Sequence, residues 1–333
     1  MKVLILGKRG GILQWYEHFL DAGEGLPDVE IKGFGLNHNN LFERLSKKIT
    51  GQFSNDYKDS ITARALETVM QDFQPHLVVV TDMFYFSKKV LNVFHAHQLR
   101  CNYVHWIGDF FKKEILISKE IFDHYYFTDT ALVEQAKSMG IANSSYLPLA
   151  YNPIIFYPAK NKKTRSKKLL FIGAWSANRE ALIKRIDVPM LIIGKGWNKH
   201  SHPAHNVISK NIPLVEVAQL YQMHSFVLNI INSNNIKNGL NMRCFEAPAC
   251  QALLITDQVA DLHLCYQKGK EVFVYQSAQD ISKFLTSVED DYYKKIITQG
   301  YDKVSSSHTY RIRLEKIMRE YPKKGAKPLD DLE

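Results

Sequence analysis

The sequence predicts an α/β chain of two similar halves, each a parallel sheet with helices on both faces. Three observations predict it. Short apolar runs alternate with longer amphipathic stretches, the pattern of βαβ units. Several runs, such as LVVVT at 77–81, are apolar at almost every residue, as a strand buried on both faces must be. The alternation breaks once, at a cationic, proline-punctuated stretch near the middle, and then restarts.

In the first half, Val3–Gly7 reads as a buried strand, followed by a glycine-rich turn and a helix through Leu20. Val29–Gly35 is a second strand. Ile61–Phe73 has helical spacing at Ala65, Leu66, Val69, Met70 and Phe73, and Pro75 stops it. Leu77–Thr81 is a strand, Val90–His97 a helix, and Asn102–Ile107 and Phe122–Phe127 are strands. Ala131–Met139 is a helix ending at Gly140. Pro148, Pro153 and Pro158, followed by KNKKTRSKK, mark a linker over 153–168. Beyond it, Leu169–Gly173, Met190–Gly194, Phe226–Ile231, Ala252–Thr256 and Val272–Tyr275 read as strands. Asn178–Ile186, Val215–Met223, Met242–Cys250, Ala278–Val288, Tyr292–Val304 and Tyr310–Glu320 read as helices. The expected division is a first domain over 1–152 and a second over 169–307. A closing helix over 308–321 is placed to return to the first domain, and an unpacked tail covers 322–333. Two such halves imply a cleft, with ligands at the carboxyl ends of the strands.

The composition, 45% apolar and 23% charged over 333 residues, is that of a globular chain and excludes a disordered one. The net charge of +9 favours an anionic partner. No aromatic-basic recognition module accompanies that charge, so nucleic acid is not expected. Four cysteines without a CxxC pair point to reduced thiols and a cytoplasmic location. The apolar run Val3–Leu6 is too short for a signal-peptide core, and no run suits a spanning helix, so membrane contact is expected only at the periphery.

The most informative stretch is NGLNMRCFEAPACQALLITD, from Asn238 to Asp257. Glu246 falls in the first turns of a helix approached through Asn238–Gly239–Leu240–Asn241. A helix start offers unpaired N–H groups to a phosphate, and Arg243 adds a charge-assisted donor. A carboxylate there can accept from a ribose diol. The plainer alternative is an ordinary helix start with an exposed Glu and Arg, and the residues alone leave both open.

The same stretch resembles the C-terminal donor-binding motif of CgeB-like glycosyltransferases, the spore-maturation type within the GT-B superfamily. The likeness extends over LLFIGAWSANREALIKRI, LIIGKGW, IPLVEVAQLYQMHSFVLNI, SSSHTYRIRLEKIM and the connector LPLAYNPIIFYP. It implies the GT-B fold, two Rossmann-like domains facing across a cleft, with a nucleotide-sugar donor held mainly by the second. By position, Glu246 would hold the ribose hydroxyls, and Arg243 and the backbone around Asn241 would face the diphosphate. Gly173 and Arg179 would lie near the phosphates, and Gly194 and Lys195 near the base or ribose. Retaining relatives often carry a second Glu where this chain has Asn238, so the contact to the donor sugar departs from that pattern.

The first half would serve the acceptor, a hydroxyl of a glycan, a lipid-linked intermediate or a protein. Lys8-Arg9-Gly10-Gly11 after the first strand offers a close backbone approach and counter-charge to a phosphate or the acceptor, or is simply a tight turn with exposed cations. Asp109, just past the strand NYVHWI, is the candidate general base, with Asp82 as its competitor and His105 and His38 behind them. Each carboxylate would otherwise be a cap or turn former. His95 and His97 diverge on a helix, and His200, His202 and His205 read as surface residues of a polar loop, so no metal site is expected. The chain has no Asp-x-Asp, and metal-independent transfer without a cofactor fits it better, with Arg, Lys and a helix start stabilising the leaving diphosphate. Lys160–Lys168 and the aromatic segments Phe84–Phe86 and Phe110–Phe111 could meet an anionic membrane, although a solvated linker and core aromatics are the favoured reading. The rival functions are a nucleotide-sugar epimerase of the same architecture and a non-catalytic binding protein that keeps the fold.

Overall fold

The computed structural model describes residues 1–10, 13–36, 55–81, 86–160, 164–233 and 236–324. The chain forms two units, Met1–Pro148 with Tyr310–Glu333, and Leu149–Thr309.

The first unit begins with β1 (Lys2–Gly7), α1 (Trp15–Gly23), β2 (Glu30–Gly35), α2 (Asn55–Phe73) and β3 (Leu77–Thr81). It continues through α3 (Lys88–His97), β4 (Asn102–Ile107), a 3-10 turn over Lys113–Ser118, β5 (His124–Phe127), α4 (Thr130–Ser138) and β6 (Ser144–Tyr146). All six strands are parallel, in the order β2-β1-β3-β4-β5-β6. β1, β3 and β4 are buried almost throughout; β1 and β3 are apolar runs, as such strands require, and β4 also buries Asn102 and His105. Local chemistry sets the helix ends. Asp129 caps α4 by accepting from the Ala131 N–H at 2.9 Å, and Gly140 (φ 88°) ends it in a left-handed turn.

The second unit carries β7 (Ser166–Ile172), α5 (Ala177–Ile183), β8 (Met190–Ile193), β9 (His205–Ile208), α6 (Leu214–Met223) and β10 (His224–Asn229). It continues with α7 (Arg243–Ala249), β11 (Leu253–Asp257), a short α8 (Leu262–Cys265), β12 (Phe273–Tyr275), α9 (Ala278–Ser287) and α10 (Asp290–Ser307). Its sheet is also wholly parallel, ordered β12-β11-β10-β7-β8-β9. Counted within the unit, this is the doubly wound order 3-2-1-4-5-6, which switches direction between β7 and β10. A capping box starts α9: the Asp280 N–H donates to Ser277 Oγ, and the Ser277 N–H donates to Asp280 Oδ2.

The last helix, α11 (Tyr310–Glu320), returns to the first unit and packs on α1. The Tyr310 ring stacks on His18 at 4.9 Å and meets the edge of Phe19 at 5.3 Å. Arg313 donates to the Pro148 carbonyl at 2.8 Å.

Several details differ from the sequence reading. β5 starts at His124, because Phe122 is buried in the preceding turn and Asp123 accepts from the Tyr103 N–H. The edge strands β6 and β9 and the short α8 went unpredicted. The described part of the expected linker, 153–168, is largely exposed, including Lys160, Lys167 and Lys168, but it is pinned at a few points. Phe156 is buried against Tyr221, the Arg165 guanidinium donates to the Gln251 carbonyl and, at 2.7 Å, to that of Cys250, and Ser166 already belongs to β7. Phe111 is buried, and the partly buried Phe86 and Phe110 pack against the core, with Phe86 stacked on Phe122. Phe84 lies outside the described residues. Among the described residues no helix is long and apolar enough to cross a membrane.

Candidate functional site

In a doubly wound sheet ligands gather at the carboxyl ends of the strands flanking the switch point. In the second unit those ends belong to β7 and β10. Arg179, on α5, bridges them. Its Nε and Nη2 donate to the Ile230 carbonyl just past β10, at 3.3 and 2.9 Å, and Nη1 donates to the Ala174 carbonyl just past β7, at 2.8 Å. The residue is buried, and burial, reinforced by the like charge of Arg243, pulls its pKa down to about 10. Two guanidiniums close enough to feel each other's charge are the chemistry that suits an anion.

Asn229, at the end of β10, organises the approach to α7. It is fully buried and uses its whole hydrogen-bonding capacity. Its Oδ1 accepts from Asn241 Nδ2 at 2.7 Å and from Arg243 Nη1 at 3.1 Å, while its Nδ2 donates to Thr256 Oγ1 at 3.1 Å and Cys244 Sγ at 3.3 Å. Asp257, at the end of β11, accepts from the Ile231 N–H at 3.0 Å, and burial raises its pKa. Neither residue was singled out in the sequence. A polar residue closing an otherwise apolar strand, as in FVLN and LLITD, is the signal that could have found them.

Glu246 is buried on α7, not exposed as the plainer reading held, and its Oε1 has no hydrogen-bond partner in the protein. Desolvation pushes its pKa up to about 7, although the Arg243 charge pulls the other way. A buried carboxylate oxygen without a donor is costly, and a hydroxyl of a ligand diol is the kind of group that could supply one. α7 is only seven residues long and Met242 gives it no side-chain cap, so attraction for an anion rests here on Arg243 more than on a helix dipole.

The turns after β7 and β8 are pressed together. A Cβ on Gly194 (φ 156°) would lie 2.0 Å from the Gly173 carbonyl oxygen, which also accepts from Trp197 Nε1 at 2.8 Å. Only glycine allows that approach. Lys195 beside it is exposed. The structure thus gathers Gly173, Arg179, Gly194, Asn241 and Arg243 around one switch point, with Glu246 on the helix that Arg243 begins.

In the first unit, Asp109 does fall just past β4, where its Oδ1 accepts from the neighbouring Phe110 N–H at 2.8 Å. Asp82 follows β3, but it, His38 and Gly11 lie outside the described residues. Lys8 and Arg9 are exposed, and the Gly10 N–H already donates to Glu17 Oε1 at 2.7 Å, so a phosphate there would have to displace a carboxylate. His105 is fully buried beside Phe86, Phe122 and Tyr125, a core position. His200 and His205 are not surface residues either. Both are buried with their rings stacked at 5.2 Å, because β9 draws His205 into the sheet.

Residues 175–319 match the glycosyl transferase-like family. No curated protein matches the chain. Among solved structures, a glycosyltransferase from Rickettsia africae ESF-5 superposes with a TM-score of 0.69 at 10% identity, covering 96% of this chain and 97% of that one. Anabaena HepE in complex with UDP and glucose gives 0.64 at 10% identity, covering 96% and 98%. A UDP-N-acetylglucosamine 2-epimerase from Listeria monocytogenes, described as putative in its own structure, gives 0.58 at 11% identity, covering 96% and 95%. The chain therefore has the α/β GT-B fold of these glycosyltransferases, and over residues 175–319 its sequence is similar to the glycosyl transferase-like family.

Proposed function

We propose that the protein is a glycosyltransferase that moves a sugar from a nucleotide-sugar to a hydroxyl of a glycan, a lipid-linked intermediate or a protein. One observation carries the reading: a buried Glu246 carboxylate whose Oε1 has no partner in the protein, close enough to feel the Arg243 charge, inside the segment that matches the glycosyl transferase-like family. That pairing suits a ribose diol joined to a diphosphate. Arg243, Arg179 and Lys195 would stabilise the leaving nucleoside diphosphate without a metal, and the acceptor hydroxyl would lose its proton to Asp109 or, as the alternative, Asp82. The structure of HepE with UDP and glucose is support by analogy of fold, and the CgeB-like resemblance supports the same donor arrangement.

The test is a thermal-shift and donor-hydrolysis screen of UDP-, GDP-, dTDP- and CMP-sugars. Stabilisation by one of them, lost in Glu246→Ala, is expected. No response to any nucleotide would overturn the reading. Hydrolysis lost in Asp109→Asn with donor binding retained would support the base, and unchanged turnover would sink that assignment. The likeness to 2-epimerase structures keeps a second reading in play. Proton NMR of the donor without acceptor separates the two, since an epimerase would yield an isomeric nucleotide-sugar.

A further inference from the structure

The chain has four tryptophans. Trp15, Trp106 and Trp197 are buried, whereas Trp175 is 45% exposed on the turn after β7. It is nevertheless held on several sides. Its backbone N–H donates to the Lys195 carbonyl at 2.9 Å, and its indole Nε1 donates to Glu180 Oε2 at 2.7 Å. Glu180 is fixed in turn by Lys184 Nζ at 3.0 Å, and its Oε1 faces His200 Nδ1 at 3.7 Å. His200 Nε2 meets His205 Nδ1 at 3.0 Å, and His205 Nε2 donates to the Ile186 carbonyl at 2.9 Å. Gly196 (φ 94°) leaves room beneath the indole, since a Cβ there would lie 3.0 Å from Trp175 Cβ.

An exposed indole anchored by a chain of polar contacts into the interior is pre-organised for something outside it. Among the described residues its ring stacks on no other aromatic ring. The turn that holds it also contains Ala174, whose carbonyl accepts from Arg179, so the indole shares the switch point with the proposed diphosphate site. Exposed Lys195 lies beside it. A flat π-face next to a cation and an anion site is the chemistry that receives a nucleobase. We propose that the exposed face of Trp175 is the stacking platform for the nucleobase of the donor. This rests on the nucleotide-sugar reading above. The competing role, a cover for the glycine turn, would affect stability and not the recognition of a base.

The test uses tryptophan fluorescence and calorimetry on the full chain with UDP, GDP, ADP and dTDP, and with inorganic pyrophosphate as the base-free probe. A bound nucleoside diphosphate should quench the exposed emission and shield it from iodide, and pyrophosphate should not. Trp175→Ala should weaken nucleoside diphosphate binding roughly ten-fold or more while pyrophosphate affinity holds. Trp175→Phe, which keeps a π-face, should stay within about three-fold of wild type. Unchanged nucleotide affinity in Trp175→Ala, or an equal loss for pyrophosphate, overturns the proposal. No heat from any nucleotide overturns the donor reading and this one with it, whereas nucleotide binding indifferent to Trp175 overturns this one alone.

Discussion

Replacing Glu246 with glutamine should make the protein more stable at alkaline pH while removing its affinity for the donor. In the unfolded chain this carboxyl titrates near its ordinary 4.5, and in the fold burial raises it to about 7. Between those values the folded protein keeps a proton that the unfolded chain has released. Its contribution to stability is therefore full below 4.5, declines as pH rises toward 7, and is level above. At ~1.36 kcal/mol per pH unit, the interval sets a ceiling of about 3 kcal/mol, of which roughly 1 is already lost at pH 5. Urea denaturation of wild type and Glu246→Gln at pH 5 and pH 8 should show their difference moving by about 2 kcal/mol in the variant's favour. Parallel pH profiles for the two proteins would refute the reasoning, because the buried carboxylate would then carry no strain to relieve.

Asn229→Ala strips partners from Asn241, Arg243 and Thr256 at once and should cost about 2–4 kcal/mol by chemical denaturation; a loss below ~0.5 would contradict the network. Gly194→Ala forces a Cβ against the Gly173 carbonyl and should cost about 3 kcal/mol or more, seen as a lowered Tm or the loss of soluble protein. Ending the chain at Thr309 removes Tyr310, Leu314 and Ile317, all buried, at ~2 kcal/mol each. Limited proteolysis should then cut the first unit while the second stays protected. His18 is held near pKa 4 by burial, below its ordinary 6.5. The stability it gives is full above about 6.5 and is lost as pH falls toward 4, so His18→Gln should flatten that part of an acid-unfolding profile.

The strands that form the middle of the sheets were legible because they are buried on both faces and written mostly as apolar runs. Leu77–Thr81 and Asn102–Ile107 have the bounds the sequence suggests, and so does the amphipathic helix Tyr310–Glu320. β6 and β9, with the sequences SSY and HNVI, lie at sheet edges and are held by backbone pairing that no side-chain pattern announces. The positions of Arg243 and Glu246 followed from a motif contiguous in sequence. Asn229 could not follow from one, since its meaning comes from partners at Asn241, Arg243 and Thr256 that only the fold brings together. His200 and His205 were misjudged for the same reason. A polar segment reads as surface until a strand carries it into the sheet.

The return of α11 to the first unit has a temporal consequence. Translation runs from the amino terminus, so the sheet carrying Asp109 leaves the ribosome first yet lacks the helix that covers His18 and Phe19 until residues 149–309 have followed. At about 5–20 residues per second that delay is on the order of ten to thirty seconds. The later unit, contiguous in the chain, can close before the earlier one. During this interval the face of His18 and Phe19 that the last helix covers stays unsealed.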